Sequence, residues 1–133
     1  FSAIEHLSIE NIQVEFIFLG DGASRQYLIN YTKSTKMPFL FSFPGWVHGQ
    51  EKLAYLANSD IFILASHSEG LPNSLMEAML CGIPSIATDV GSVSDLIING
   101  ETGILIEKKN IKQLTQGIQD LVLNENLRNS YSF

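Results

Sequence analysis

Short, continuous apolar runs alternate with amphipathic stretches along this chain. Val14 to Leu19 (VEFIFL), Phe39 to Phe43 (FLFSF), Ile61 to Leu64 (IFIL), Ile83 to Ala87 and Gly103 to Ile106 (GILI) are rich in β-branched and aromatic residues, and each is of strand length. They are apolar throughout rather than alternating, the pattern of parallel strands covered on both faces. Between them lie segments of helical character. Phe1 to Ser8 reads as the end of a helix, and Gly22 to Lys33 carries Tyr27, Leu28 and Tyr31 at helical spacing. Gln50 to Asn58 offers Leu53, Leu56 and Ala57 as an inner stripe, and Asn73 to Leu80 starts just after Pro72 and is ended by Gly82. Ser92 to Ile97 predicts a brief helix. The last helix runs from Ile111 to Val122 and on toward Glu125, with Asn110 as its cap and Gly117 weakening it slightly.

Strands and helices following one another in this way predict an α/β fold: an open, mostly parallel sheet with helices on both faces. One feature is out of place. In a doubly wound sheet the first strand sits in the middle. If Phe1 to Ser8 is the first crossover helix, the central strand before it is missing, and the gap falls between Val14–Leu19 and Ile61–Leu64. An open gap exposes backbone groups and apolar surface. The expectation is therefore a partial domain over residues 1–133, truncated at its start and prone to oligomerise. The strands Val14–Leu19 and Ile83–Ala87 are expected to be core.

Composition narrows the partners. With 133 residues, 45% hydrophobic and 17% charged, the chain suffices for one domain with a real core. Eight Lys and Arg against fourteen Asp and Glu give a net charge of −6, which repels a nucleic-acid backbone, so no nucleic-acid partner is expected. An acidic protein that binds a nucleotide must rely on backbone N–H groups, helix N-termini or a few local cations. The single cysteine, Cys81, rules out an internal disulfide and fits a reducing compartment; its place beside Ala78 predicts buried packing. The histidines His6, His48 and His67 do not make a metal triad by spacing. Ser66, Ser68 and Ser74 do not form a nucleophile elbow.

Ligands of open parallel sheets bind at the C-terminal ends of the strands. There the sequence concentrates Gly20-Asp21-Gly22, then Pro44 to His48, then Ser66 to Pro72, then Thr88 to Gly91. Glu69 and Glu77 are the sharpest pair, one before the Gly70-Leu71-Pro72 turn and one a turn into the following helix. Free amides at that helix start, about Asn73, Ser74 and Leu75, favour an anion such as a diphosphate. A carboxylate on each side accepts hydrogen bonds from sugar or ribose hydroxyls. On spacing alone, the competing reading of Glu77 as a solvated helix residue and Glu69 as a capping acid has equal weight. Gly20 permits close approach of backbone to a ligand but serves equally as an ordinary strand-to-helix turn. Backbone near Val47 stands where a base would rest, and His67 lies in the same cleft as a donor to phosphate or sugar.

The block from Ser59 to Ile106 (SDIFILASHSEGLPNSLMEAMLCGIPSIATDVGSVSDLIINGETGILI), with the upstream IFLGDG and FPGWVHGQEKLAYLANSD, closely resembles the C-terminal, donor-binding domain of retaining GT-B glycosyltransferases, the large glycosyltransferase family 4. The resemblance spans about Val14 to the last helix. It implies a Rossmann-like domain that binds a nucleoside-diphosphate sugar, commonly UDP- or GDP-linked, and transfers the sugar with retention, without a metal or other cofactor. The family's two glutamates, separated by seven residues, match Glu69 and Glu77. Glu69 is then the catalytic residue at the donor sugar ring, and Glu77 the ligand of the ribose hydroxyls. Gly70 and Leu71 match the backbone that reaches the sugar, Asn73 to Leu75 the pyrophosphate site, Gly20 the glycine turn near the phosphates, and Val47 the main chain beside the base. The acceptor, a glycan, a lipid-linked sugar or a small molecule, is the concern of an N-terminal domain absent from this sequence. A cytoplasmic location is implied, with peripheral contact to the cytoplasmic membrane face in the longer protein. The family's phosphate-binding arginine and lysine have no counterpart, Arg25 and Lys33 standing at the wrong positions. This chain alone is therefore expected to be inactive. Two other classes remain open at this point: a non-catalytic nucleotide-sugar-binding module, and another Rossmann-like nucleotide-sugar enzyme such as an epimerase.

Overall fold

The structure, a computed structural model, describes residues 1–132. Strands and helices appear in the order the apolar runs predict: α1 (Ser2–Glu5), β1 (Glu15–Leu19), α2 (Arg25–Ser34), β2 (Leu40–Gly45), α3 (Gly49–Ala57), β3 (Phe62–Leu64), α4 (Asn73–Leu80), β4 (Ser85–Thr88), β5 (Ile104–Ile106), α5 (Ile111–Leu123) and α6 (Glu125–Tyr131). The brief helix expected at Ser92–Ile97 is a single 3₁₀ turn, Val93–Asp95.

All the ladders are parallel, and they fall into two sheets. One is β1-β2, with Phe16 opposite Phe41; the other is β3-β4-β5, with Ile86 between Ile63 and Ile104. Among the described residues no ladder joins β1 to β3, which is where the strand-order rule places the missing central strand. The chain divides into two compact units at this break. One comprises Phe1–Ile9 and the chain from Leu53 onward, and the other Glu10–Lys52.

In the larger unit, Ile83 to Thr88 are buried throughout, as expected for a strand with a partner on each side. Leu75, Ala87, Val93 and Ile97 form one buried cluster, and Leu56, Ala78 and Ile83 a second. Asn110 caps α5 by accepting the Gln113 N–H at 3.0 Å. α5 does not run on through Glu125: Asn124 leaves the helical conformation and accepts the Leu127 N–H, starting α6 as a separate helix. The buried Thr115 hydroxyl donates to the Ala3 carbonyl at 3.1 Å, tying α1 to α5.

In the smaller unit, aromatic rings carry the packing of β1 on β2. Phe16 meets Phe39 edge-on and stacks with Phe41, while Phe18 stacks with Phe43. Three expectations need correction. β1 is not core along its length, because with one ladder partner it buries only Phe16 and leaves Ile17 and Leu19 exposed. β2 does not stop at Pro44: the register slips between Ile17 and Leu19, and such an irregularity on an edge strand tolerates a residue without an N–H. On α3 only Leu56 of the expected stripe is buried, Leu53 and Ala57 being exposed.

Candidate functional site

Because β3, β4 and β5 are parallel and adjacent, the loops that follow them emerge on one edge of the larger unit. Ala65 to Pro72 follows β3, Asp89 to Ser92 follows β4, and Glu107 to Asn110 follows β5. His67, Glu69, Gly70, Leu71, Asn73, Ser74, Leu75 and Glu77 all belong to the first of these loops or to α4, which it enters.

Glu69 is half-buried, and its carboxylate is held by a short bond: the Ser66 hydroxyl donates to Oε1 at 2.5 Å. The loop after β4 touches the same segment through its backbone. Gly91, at φ +59°, lies so near Glu69 that a Cβ there would fall inside contact distance of the Glu69 carbonyl oxygen and 2.9 Å from its carbon. Beside it, the Ser92 hydroxyl donates to the Gly70 carbonyl at 2.8 Å. Gly91 ends the Thr88–Gly91 stretch that the sequence places at this edge, whereas Ser92 was not singled out. The available signal was topological: β4 neighbours β3, so a glycine at the end of one is placed beside the loop of the other.

The amides at the start of α4 divide into two kinds. The Asn73 N–H donates to the Leu71 carbonyl at 2.9 Å and the Leu75 N–H to the Pro72 carbonyl at 3.0 Å. The N–H groups of Gly70, Leu71 and Ser74 donate to nothing among the described residues. Of the expected run Asn73 to Leu75, therefore, Ser74 supplies the free donor, joined by Gly70 and Leu71 one turn earlier. The Leu75 side chain is fully buried, so it serves the core, while Leu71 is exposed. Glu77, in the second turn of α4, is half-buried with Oε2 shielded from solvent. His67 is exposed and lines a small cavity of about 80 Å³ with Ser66, Thr88 and Asn110 at the strand ends.

Gly20 and Val47 lie in the smaller unit. Gly20, at φ +130°, already donates its N–H to the Gly45 carbonyl at 2.7 Å. Val47 is buried as a whole residue. Arg25, which follows the Gly20 turn, donates one guanidinium N–H to the Phe43 carbonyl at 2.6 Å, and its Nε is buried without a hydrogen-bond partner among the described residues.

A larger cavity, about 290 Å³, opens at the other end of the strands beside Asp60, Pro84 and Cys81. Its one cation, Arg128, donates from Nη1 to the carbonyls of Leu121 and Val122. Cys81 on its wall is exposed, not buried packing as expected: α4 ends at Leu80, and Cys81 leaves the stripe that buries Leu75 and Ala78. Among the described residues no three His, Cys, Asp or Glu side chains gather as a metal site. No helix of the described residues is long and apolar enough to cross a membrane.

Most of the chain is similar to known proteins. The family model described as "Glycosyl transferases group 1" matches residues 1–132. The 2-deoxystreptamine N-acetyl-D-glucosaminyltransferase of Niallia circulans is 28% identical over 88% of this chain, which spans 30% of that protein. The capsular polysaccharide biosynthesis glycosyltransferase CapM of Staphylococcus aureus is 33% identical over 61% of this chain, and the match takes in 21% of CapM. A mutant of TarM from S. aureus, solved in complex with fondaparinux, α-GlcNAc-glycerol and UDP, superposes with a TM-score of 0.80 at 25% identity, over 98% of this chain and 25% of that one. The chain thus spans about a third or less of the length of these relatives.

Proposed function

This chain belongs to the glycosyl transferases group 1 family, with the Rossmann-like architecture of a GT-B C-terminal domain, and we propose that its loop edge binds the donor, a UDP- or GDP-linked sugar, for a retaining transfer carried out by the longer protein. The observation that carries this reading is the β3–α4 segment. It combines a fixed carboxylate, Glu69, with three free N–H donors at Gly70, Leu71 and Ser74, and a second carboxylate, Glu77, on the helix that follows.

Each part has a task in the reading. The free Ser74 amide at the start of α4 holds diphosphate oxygens and stabilises the charge that grows there as the glycosidic bond breaks, while the Gly70 and Leu71 amides reach the donor sugar. Glu69 accepts hydrogen bonds from donor-sugar hydroxyls and faces the positive charge that develops at the anomeric carbon. Glu77 grips the ribose hydroxyls, and His67 donates to phosphate or sugar from the rim. The acceptor is a glycan, a lipid-linked sugar or a small molecule, engaged by the N-terminal domain of the longer protein on the cytoplasmic face of the membrane. With Arg25 and Lys33 standing away from the family's cation positions, the cations for full diphosphate affinity come from outside this chain, which by itself is inactive.

The test is binding of UDP, GDP and ADP to the chain by ligand-observed NMR. Preferential saturation transfer to one nucleotide supports the reading, and no binding of any of the three defeats it.

A further inference from the structure

We propose that Gly91 and Ser92 are positioning residues for the donor sugar: they aim the two amides of Gly70 and Leu71 at it without touching it themselves. The inference rests on the donor-site reading above and adds residues that the site's own chemistry does not name.

In a trans peptide, the carbonyl of one residue and the N–H of the next point to opposite sides of the chain. Among the described residues there are no cis bonds. Fixing the carbonyls of Glu69 and Gly70 therefore fixes the directions of the Gly70 and Leu71 N–H groups. Both carbonyls are held on one side, by the turn after β4. The Glu69 carbonyl abuts Gly91 at a distance only a residue without a Cβ allows, and the Gly70 carbonyl accepts the Ser92 hydroxyl at 2.8 Å. The two N–H groups then face away from that turn. Neither donates to anything among the described residues, and both residues are exposed.

Nothing else anchors the Gly70 peptide comparably. A Cβ built on Gly70 meets no atom within 4 Å, so its own surroundings do not restrain it. Without the Ser92 hydroxyl, the Gly70 carbonyl loses the one side-chain hydrogen bond that holds it, and the Leu71 N–H is aimed less firmly. Preorganised donors bind better than mobile ones because the ordering cost is already met.

The discriminating variant is Ser92→Ala, since Gly91→Ala risks disturbing the fold. Amide-detected NMR titrations of the wild-type chain, Ser92→Ala and Ser92→Thr with UDP and with UDP-glucose separate the nucleotide part from the sugar part. The expected result is a loss of about three- to tenfold in UDP-glucose affinity for Ser92→Ala, the size of one hydrogen bond. UDP affinity stays within about twofold, and Ser92→Thr restores UDP-glucose binding. Unchanged UDP-glucose affinity in Ser92→Ala overturns the inference and leaves the donor-site reading intact. Equal losses for UDP and UDP-glucose, or failure of Ser92→Thr to rescue, overturn it as well, since they mark a general structural role. If wild type binds neither these compounds nor GDP, the donor-site reading fails, and this inference fails with it.

Discussion

Replacing glycine by alanine at two positions puts the packing of the site loop to a test of sign. At Gly91 the added methyl is refused twice. The φ of +59° is a left-handed conformation that costs a residue with a Cβ about 1–2 kcal/mol. The methyl also falls inside the Glu69 carbonyl, a backbone atom that cannot rotate aside; relieving such a clash costs about 1–3 kcal/mol. Gly91→Ala should therefore destabilise the chain by about 2–4 kcal/mol. At Gly117, inside α5, the same methyl meets Ile104 and Ile86 at 3.5 Å, ordinary contact distance. Here the helix gains the difference in propensity, and the unfolded chain loses freedom, so Gly117→Ala should stabilise by about 0.5–1 kcal/mol. Urea unfolding followed by circular dichroism, with slopes compared to confirm that the transition is unchanged in kind, reads both. A Gly91→Ala variant as stable as wild type refutes the close approach of the two loops. A destabilised Gly117→Ala refutes the fit of α5 on β4 and β5.

Two further results follow from particular contacts. Asn110→Ala removes the bond to the Gln113 N–H and should lower stability by about 1 kcal/mol in the same urea experiment; Asn110→Ser should recover most of it. Cys81 stands exposed at the end of α4, so an aromatic disulfide reagent should titrate one thiol per chain under native conditions, whereas a thiol that reacts only after denaturation contradicts the helix ending at Leu80.

The fold was legible because parallel strands announce themselves. Ile61–Leu64, Ile83–Ala87 and Gly103–Ile106 are apolar runs too short for helices, and each contains or overlaps an observed strand. The break between β1 and β3 was legible from strand order alone, which needs no side-chain detail. What escaped the sequence depends on partners distant along the chain. Ile17 and Leu19 look like core residues, but burial requires something on the other side, and β1 has one neighbour. Cys81 has the spacing to continue the Leu75 and Ala78 stripe, but the helix turns away first. At the site, the glutamates and the free helix start were readable from spacing around Pro72. That Asn73 and Leu75 spend their amides inside the turn, and that Gly91 and Ser92 hold the loop from behind, required the three-dimensional neighbourhood.

The account stands or falls on whether α4 and the loop before it hold a nucleotide. Calorimetric or NMR titration of UDP and GDP into the chain and into Glu77→Ala reads this directly. A charged hydrogen-bond acceptor lost from the ribose should weaken the preferred nucleotide by about tenfold or more, while its 2′,3′-dideoxy form binds both proteins alike. Equal affinity of wild type and Glu77→Ala for the ribose-bearing nucleotide would contradict it.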